Sequence, residues 1–264
     1  MSFDFTNHRV VVTGGANGIG LAAARLFAAH GGQVCLLDLA AEQPREVAGS
    51  FGARGISCDV TDLASISEAL AEAGVPDILV ANAGIGKPAS LAETSKDLWD
   101  RTLAVNLSGI FHTIQKAAGL MKLRRKGSIV LTASTNSFDG EPDLTAYNAS
   151  KAGLLGILHT VANELGPWGI RVNAVCPGLI RTRLTAQHFA DEILMRDYFR
   201  QIPLGRGGTA EEVANAVAFL ASEMASYITG AALLVDGGQM ASKFGPWSEE
   251  QSQFVEDHWE LKRS

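Results

Sequence analysis

Near its start the chain carries the stretch RVVVTGGANGIG, residues 9–20. The β-branched run before the glycines is typical of a buried strand, and LAAARLFAAH, residues 21–30, is typical of a helix. Glycines suit the turn between them because it is tight and because side chains would keep backbone N–H groups away from a pyrophosphate. The stretch therefore predicts a strand, a phosphate-binding turn and a helix; a plain connecting turn is the alternative.

The glycine spacing is one residue wider than the common dinucleotide fingerprint, at Gly14, Gly18 and Gly20. The location of the turn still favours a phosphate site, because the turn opens a helix whose N-terminus attracts anions. We therefore expect a dinucleotide at this junction.

The second predicted strand, QVCLLD, ends in Asp38, about 20 residues past the turn. A carboxylate there accepts hydrogen bonds from ribose hydroxyls and repels a 2′-phosphate. Neither Asn17 nor Leu39 supplies a compensating cation. Asp38 thus predicts NAD as the cofactor; the alternative is that it only caps a loop.

Strand and helix patterns alternate along the chain. The predicted strands are 9–13, 33–38, 55–58, 77–81, 128–133, 171–176 and 232–235, and the predicted helices are 18–30, 62–73, 96–123, 146–165 and 210–222. This alternation favours right-handed crossovers. The fold class expected is α/β: a Rossmann-type doubly wound seven-stranded parallel sheet with helices on both faces, in a single domain.

Composition and charge exclude several classes of function. The 264 residues include 22 basic and 28 acidic ones, and a formal charge of -6 would repel nucleic acid. The chain has no secretory signal pattern and no apolar run that spans a bilayer, so we expect a cytoplasmic protein without membrane contact. The three cysteines are expected to be reduced and buried, and the six scattered histidines predict no metal site.

Tyr147 and Lys151, in AYNASKAG, are four residues apart at the start of a predicted helix, so they share one face. An adjacent ammonium and a nicotinamide cation would favour the phenolate and let Tyr147 move a proton. Ser134 ends the strand SIVLTAS, where its hydroxyl could hold a substrate oxygen. An exposed helical pair is the alternative for Tyr147 and Lys151.

Six features follow one another across roughly residues 6–240: TGGANGIG, Asp59 in CDV, Asn82 to Gly84 in NAG, Asn106 in VNLSG, Ser134 with Tyr147 and Lys151, and PGLIRT. In this order and spacing the chain resembles the short-chain dehydrogenase/reductase family. The resemblance implies a homotetramer that binds NAD and oxidises a secondary alcohol or reduces a ketone.

The resemblance also implies roles for individual residues. Ser134 would orient the substrate, Tyr147 would act as acid-base, and Lys151 would bind ribose and lower the pKa of Tyr147. Asn106 would interrupt the long helix and support a proton relay through water; an exposed helical asparagine is the alternative. The implied cofactor contacts are Gly14, Asn17, Gly18, Ile19, Gly20, Asp38, Leu39, Asp59, Val60, Asn82, Ala83, Gly84, Tyr147, Lys151, Pro177, Gly178, Ile180 and Thr182.

Some of these contacts have ordinary alternatives in loop chemistry. Asp59, for example, precedes Thr61 and Asp62 and would also suit a helix cap. The segment 184–205 is expected to cover the substrate, with Leu184, Phe189, Leu194, Met195 and Tyr198 as an apolar lid and His188 at the pocket, or to pack as a surface helix.

Two segments are distinguished by composition. Residues 1–240 form the predicted dinucleotide-binding and catalytic domain, and residues 241–264 a charged, aromatic extension, read as an amphipathic docking helix or a frayed terminus. The basic run KLRRK, residues 122–126, could attract an acidic carrier protein or close a helix.

Two rival functions stay open at this point. A 3-oxoacyl thioester reductase acting on an acyl carrier protein would use NADPH, against which Asp38 counts. A regulatory protein that binds NAD without turnover would have no need of an acid-base tyrosine.

Overall fold

A computed structural model describes residues 3–262 of the chain. Seven strands form one parallel sheet in the order β3-β2-β1-β4-β5-β6-β9, as predicted. Because the order reverses between β1 and β4, their carboxyl ends border a crevice. The seven strands are β1 Arg9–Thr13, β2 Gln33–Asp38, β3 Arg54–Ser57, β4 Ile78–Ala81, β5 Gly127–Thr132, β6 Ile170–Pro177 and β9 Ala232–Val235.

Helices cover both faces of the sheet, which confirms the doubly wound prediction. Alternate residues of β1 point to opposite faces: Val11 joins one core, and Val10 and Val12 join the other. All three are fully buried, so the strand reads as a continuous apolar run. The helices are α1 Gly18–Ala29, α2 Pro44–Gly49, α3 Leu63–Ala73, α4 Lys96–Leu103, α5 Ile110–Arg124, α6 Thr145–Leu165, α7 Glu192–Phe199 and α8 Ala210–Ala221.

The helix predicted over 96–123 is interrupted. Between α4 and α5, residues Ala104–Gly109 form a π-helical turn that contains Asn106. A Cβ at Gly109 would lie 2.9 Å from the Val60 carbonyl oxygen, so the interrupted helix lies directly against the loop after β3. Single π turns of this kind are common at functional sites.

The C-terminal extension is neither a helix nor a frayed end, and both expectations were wrong. It forms an antiparallel hairpin of β10 Ser252–Val255 and β11 His258–Leu261, in which Phe254 pairs with Trp259. On a helix these two aromatic residues, five positions apart, would diverge by about 140°. The hairpin brings both rings to one side and buries Trp259 beside α7. Residues 1–2 and 263–264 lie outside the described part.

Three further observations complete the description of the fold. Cys35, Cys58 and Cys176 are buried, as predicted. Within residues 3–262 no helix is both long and apolar enough to cross a membrane. The two remaining strands, β7 Ile180–Arg181 and β8 Gly208–Thr209, pair with each other beside the main sheet.

Candidate active site

A cleft of about 700 Å³ opens at the carboxyl ends of the sheet strands. Its walls come from the turn after β1, the ends of β2, β4 and β5, the start of α6 and the segment after β6. This is where ligands bind in open parallel sheets. All the sequence-predicted site residues line it except Gly20 and Asn106.

The glycine turn is built for close approach. Gly14 and Gly18 have φ angles of 61° and 51°, a region that favours glycine. A Cβ at Gly14 would lie 2.8 Å from the Ala83 Cα atom, and a Cβ at Gly20 would overlap the Gly14 carbonyl oxygen. Gly20 therefore acts beneath the cleft, where it lets α1 start tightly against the turn. This cradle fits a dinucleotide pyrophosphate at the helix N-terminus.

Asn82 locks the same turn from the end of β4. Its Nδ2 atom donates to the carbonyl oxygens of Thr13 and Gly14, at 3.2 and 3.0 Å. Its Oδ1 atom accepts from the Thr132 hydroxyl at 3.0 Å, which links the turn to β5. The floor of the cleft is thus one hydrogen-bonded unit across β1, β4 and β5.

Asp38 lies in the cleft at the end of β2. Its carboxylate accepts from the backbone N–H of Ala16 at 2.9 Å and of Leu39 at 2.8 Å. Burial raises the pKa of Asp38, and these two hydrogen bonds oppose the rise. Each oxygen keeps a further lone pair for a ribose hydroxyl, so Asp38 both fixes its turn and presents an acceptor.

An ion pair that no sequence motif predicts lies at the mouth of the cleft. The Arg183 guanidinium donates to both carboxylate oxygens of Glu42, at 2.9 and 2.8 Å, and Asn17 Nδ2 donates to the same carboxylate at 2.8 Å. Arg183 also lies close enough to Asp38 for their charges to interact. Arg183 and Glu42 are 141 positions apart, so no local sequence pattern connects them. The folded loops bring the Arg183 guanidinium to the end of the cleft that contains Asp38.

Asp59 is not a helix cap. Its Oδ1 atom accepts from the backbone N–H and the hydroxyl of Thr61, at 2.9 and 2.7 Å, and these bonds lower its pKa. Asp62 caps α3 instead, by accepting from the Ala64 N–H at 2.8 Å. Asp59 and its neighbour Val60 are therefore left as part of the cleft wall.

Tyr147 and Lys151 both enter the cleft from the first turns of α6. Lys151 is only 4% exposed, and its Nζ atom donates to the Thr132 carbonyl oxygen at 2.7 Å and lies 5.6 Å from the centre of the Tyr147 ring. Burial lowers the pKa of Lys151 to about 8. An exposed helix pair is thereby excluded, because both side chains line the cleft and the lysine is buried.

The expected lowering of the Tyr147 pKa is not what this structure shows. Burial raises the pKa of Tyr147, a hydrogen bond with Ser134 opposes the rise, and the Glu141 carboxylate adds to it. The physical reason is the burial of the phenol, which disfavours its charged form, while the Lys151 ammonium is bound to the Thr132 carbonyl oxygen. Ser134 is therefore the nearest group that favours the phenolate.

Asn106 is fully buried in the π-helical turn, which excludes the exposed-helix alternative. Its Oδ1 atom accepts from the Ile85 N–H and its Nδ2 atom donates to the Ile85 carbonyl oxygen, both at 2.8 Å. Nδ2 also donates to the Ser150 hydroxyl at 3.2 Å. The side chain thus ties the loop after β4 to α6 behind Lys151.

The segment after β7 was predicted either to cover the substrate or to pack as a surface helix, and different parts of it do each. Leu184 and His188 line the cleft, and Gly86 lies between Leu184 and the Tyr147 ring. Met195, in contrast, is buried in a separate small core, and Leu194 is exposed. The first part of the segment therefore covers the site, and α7 packs elsewhere.

Comparison with known proteins agrees with this geometry. A sequence model of the family described as enoyl-(acyl carrier protein) reductase matches residues 14–240. An uncharacterized short-chain type dehydrogenase/reductase of Sinorhizobium fredii is 40% identical over 87% of this chain and 96% of its own length. The 3-oxoacyl-[acyl-carrier-protein] reductase MabA of Mycobacterium avium is 39% identical over 89% of this chain and 90% of its own.

A solved structure gives the same picture. It is described as a putative NAD(P)-dependent gluconate 5-dehydrogenase from Beutenbergia cavernae with bound NADP at low occupancy. It is 34% identical, with a TM-score of 0.86, over 92% of this chain and all of that one. The fold and the cleft define a nicotinamide-binding oxidoreductase. The chain belongs to the short-chain dehydrogenase/reductase family.

The glycine geometry gives a first prediction. Gly20→Ala should weaken NADH binding at least about tenfold, because the added methyl group would overlap the Gly14 carbonyl and lie 2.6 Å from Asn82 Nδ2. NADH fluorescence titration measures the effect. Gly49→Ala is the matched control, since a Cβ there meets nothing within 4 Å. Equal binding by Gly20→Ala and wild type would show that α1 does not need this close approach.

Proposed function

We propose that this chain is an NAD-dependent oxidoreductase that interconverts a secondary alcohol and its ketone. The observation that carries the proposal is the meeting of Ser134, Tyr147 and Lys151 in one cleft with the glycine turn. A protein that only sensed a nucleotide would have no need of a buried lysine beside a tyrosine and a serine. When bound, NAD supplies the hydride acceptor for an alcohol or, as NADH, the donor for a ketone.

The protein's own groups would then handle the proton and the geometry. Ser134 holds the substrate oxygen, and Tyr147 Oη takes the alcohol proton or returns it to the ketone oxygen. Lys151, whose pKa burial lowers to about 8, would donate to the nicotinamide ribose, while Ser134 is the group that favours the Tyr147 phenolate. Asn106 holds the surrounding backbone and, by family resemblance, supports a water relay of protons from Lys151.

The nucleotide end of the cleft favours NAD over NADP. The carboxylates of Asp38 and Glu42 both lie there and would repel a 2′-phosphate. Arg183, the nearby cation, already pairs with Glu42 through two hydrogen bonds. NADP in the Beutenbergia cavernae structure is a property of that protein.

The substrate end favours a neutral, hydroxylated compound. Beyond Ser134, the Asn136 amide donates to Asn148 at 2.8 Å and to the Glu141 carboxylate at 3.3 Å. The Glu141 carboxylate is close enough to Tyr147 and Tyr198 to raise the pKa of both. A carboxylate there disfavours acidic substrates and accepts hydrogen bonds from hydroxyl groups. Asp139 and Asp143 add negative charge to the same loop.

A second candidate is reduction of a 3-oxoacyl thioester, and the identity with the Mycobacterium avium reductase favours it. The basic run 122–126 gives it little support, because it lies at the end of α5 before β5 begins, opposite the cleft. Arg124 and Lys126 are also paired with Asp77 and Glu223, at 2.9 and 3.1 Å. The run therefore closes a helix.

We propose that the protein is a cytoplasmic homotetramer, as the family resemblance implies. Exposed apolar side chains on and near the edge strand β9 support the assembly into oligomers. Leu233 and Leu234 on β9 are 36% and 41% exposed, and Tyr227 is fully exposed.

The activity is tested with a panel of polyols, neutral sugars, cyclic alcohols, hydroxy acids and a 3-oxoacyl thioester, read as NADH or NADPH absorbance. Turnover of a neutral hydroxylated alcohol with NAD is expected. Faster turnover of the thioester with NADPH would favour the second candidate, and binding without any turnover would favour the sensor.

The carboxylates of Asp38 and Glu42 predict a preference for NAD over NADP. Wild type should bind NAD at least about tenfold more tightly than NADP. Glu42→Gln should narrow this gap, because it removes one negative charge and frees Arg183 to meet a phosphate. Dissociation constants for both dinucleotides measure the gap.

Glu46→Gln is the matched control for this charge change, because Glu46 is exposed on the neighbouring helix α2. It should leave the ratio of the two constants unchanged. An equal shift in both variants would mean that net charge, and not the Glu42 pair with Arg183, sets the preference.

The catalytic roles separate in two substitutions. Tyr147→Phe should lower turnover on the order of 10² to 10⁴-fold and leave NAD affinity within a few-fold, because only the proton-transfer group is lost. Lys151→Ala should lower both the turnover rate and the affinity for NAD. Steady-state rates and NAD dissociation constants distinguish the two.

Matched controls exist for both changes. Tyr227→Phe and Lys116→Ala alter exposed residues away from the cleft and should behave as wild type. Wild-type turnover by Tyr147→Phe on the alcohol identified in the panel would overturn the assignment.

The pH dependence follows from the hydrogen bond of Ser134 to Tyr147. Alcohol oxidation needs deprotonated Tyr147, so its rate should rise with pH. Ser134 lowers the pKa of Tyr147, and Ser134→Ala should therefore move this rise to higher pH as well as slow the reaction. Ser50→Ala, an exposed serine on the far side of the nucleotide end, should leave the profile in place. Coincident profiles for Ser134→Ala and wild type would contradict the role of Ser134.

A further inference from the structure

Residues 247–261, which we name the C-terminal brace, build a second small core against α7. Trp259 is 2% exposed and packs with Met195, Phe199 and Ile202. The ring of Phe254 lies 5.7 Å from that of Trp259 and 6.3 Å from that of Phe199. The hairpin is therefore docked on α7 by a continuous apolar contact.

Hydrogen bonds fix the register of this docking. Trp259 Nε1 donates to the Arg196 carbonyl oxygen at 2.9 Å, and its backbone N–H donates to the Gly205 carbonyl oxygen at 2.8 Å. Trp247 Nε1 donates to the Ile202 carbonyl oxygen at 2.9 Å. All three acceptors belong to α7 and the turn after it, where a helix end leaves carbonyl groups in need of donors.

Charges hold the brace at two points of the same segment. Glu249 accepts from Arg196 of α7 and from Arg200, which directly follows α7, at 2.5 and 2.8 Å, and Asp257 pairs with Arg181 of β7 at 2.9 Å. Each exposed ion pair of this kind contributes little to stability. Together they attach the brace on both sides of the covering loop 182–191.

Helix α7 is linked to the cleft wall through the loop that precedes it. The Tyr198 hydroxyl of α7 accepts from Gln239 Nε2 at 3.1 Å. Phe189, whose ring lies 5.9 Å from that of Phe199, directly follows His188 in the cleft wall. Helix α7 thus lies between the brace and the site.

The family model ends at residue 240, so the brace is an addition outside the matched region. We propose that it is a positioning element for substrate recognition, with Trp259 as the positioning residue. It holds α7 in one place, so that the His188 turn, which packs on α7 through Phe189 and Phe199, forms a preset wall of the cleft that Ser134 and Tyr147 also line. This proposal rests on the proposed function and specifies which part of the chain shapes its substrate pocket.

The test compares Trp259→Ala, Trp259→Phe and, as a matched control, Trp168→Ala, an exposed tryptophan at the other end of the sheet. Hydrogen exchange of the intact protein is followed by mass spectrometry for residues 179–205 and 9–38. NADH dissociation constants, and KM and kcat for the best alcohol in the panel, are measured on the same samples.

Trp259→Ala should speed exchange across α7 by about tenfold or more and raise KM, while exchange in 9–38 and NADH binding stay within about twofold. Trp259→Phe keeps a ring without the Nε1 donor and should fall between Trp259→Ala and wild type. Trp168→Ala should match wild type in every readout.

Unchanged α7 exchange in Trp259→Ala would overturn the proposal. So would equal loosening of 9–38, because the brace would then stabilise the whole domain. If no alcohol is turned over, the proposed function fails, but the exchange pattern still decides whether the brace holds α7. If turnover exists and KM is unchanged despite faster α7 exchange, the role in substrate recognition is wrong.

Discussion

The close approach of Gly20 to the Gly14 carbonyl is the constraint on which the site depends. With no side chain between them, α1 begins directly above the end of β1, and its free N–H groups face the cleft. Asn82 fills the remaining space and bonds the same turn to β4 and β5. A larger residue at either glycine would move the helix away from the strands whose ends carry the other site residues.

The second fixed point is the bond from Lys151 to the Thr132 carbonyl oxygen. It connects α6, which carries Tyr147, to β5, which leads into Ser134. The three side chains come from segments that meet only because parallel strands end at one edge of the sheet. Burial lowers the pKa of Lys151 and raises that of Tyr147, so both groups are held nearer to neutral form than in water. Burial therefore disfavours an ion pair between charged Lys151 and charged Tyr147.

The sheet and the polar residues at its edge could be predicted from the sequence because they depend on local signals. Val10 to Thr13 mark a buried strand, the glycines mark a turn, and four-residue spacing puts Tyr147 and Lys151 on one face. The hairpin could not be predicted in this way. Its stability depends on Trp259 meeting α7, a contact across more than 60 residues of chain.

The same limit applies to charge. Asp38 was recognised because it ends a strand, whereas Arg183 reaches the nucleotide end only through the folded loop after β7. The raised pKa of Tyr147 likewise depends on burial and on Glu141, neither of which spacing reveals. Sequence pattern identifies which side chains are available, and packing decides their electrostatic environment.

The two ends of the cleft are controlled by different parts of the chain. The Asp38 end is made by short segments that follow sheet strands, and there the Asp38 carboxylate is hydrogen-bonded to the backbone of the glycine turn. The substrate end depends on α7, which makes its largest apolar contacts with the brace and not with the sheet cores. On the proposal made for the brace, changes in residues 241–262 alter the substrate pocket without passing through the glycine turn or the sheet. Such a separation would let one fold change its substrate pocket while the cofactor site stays intact.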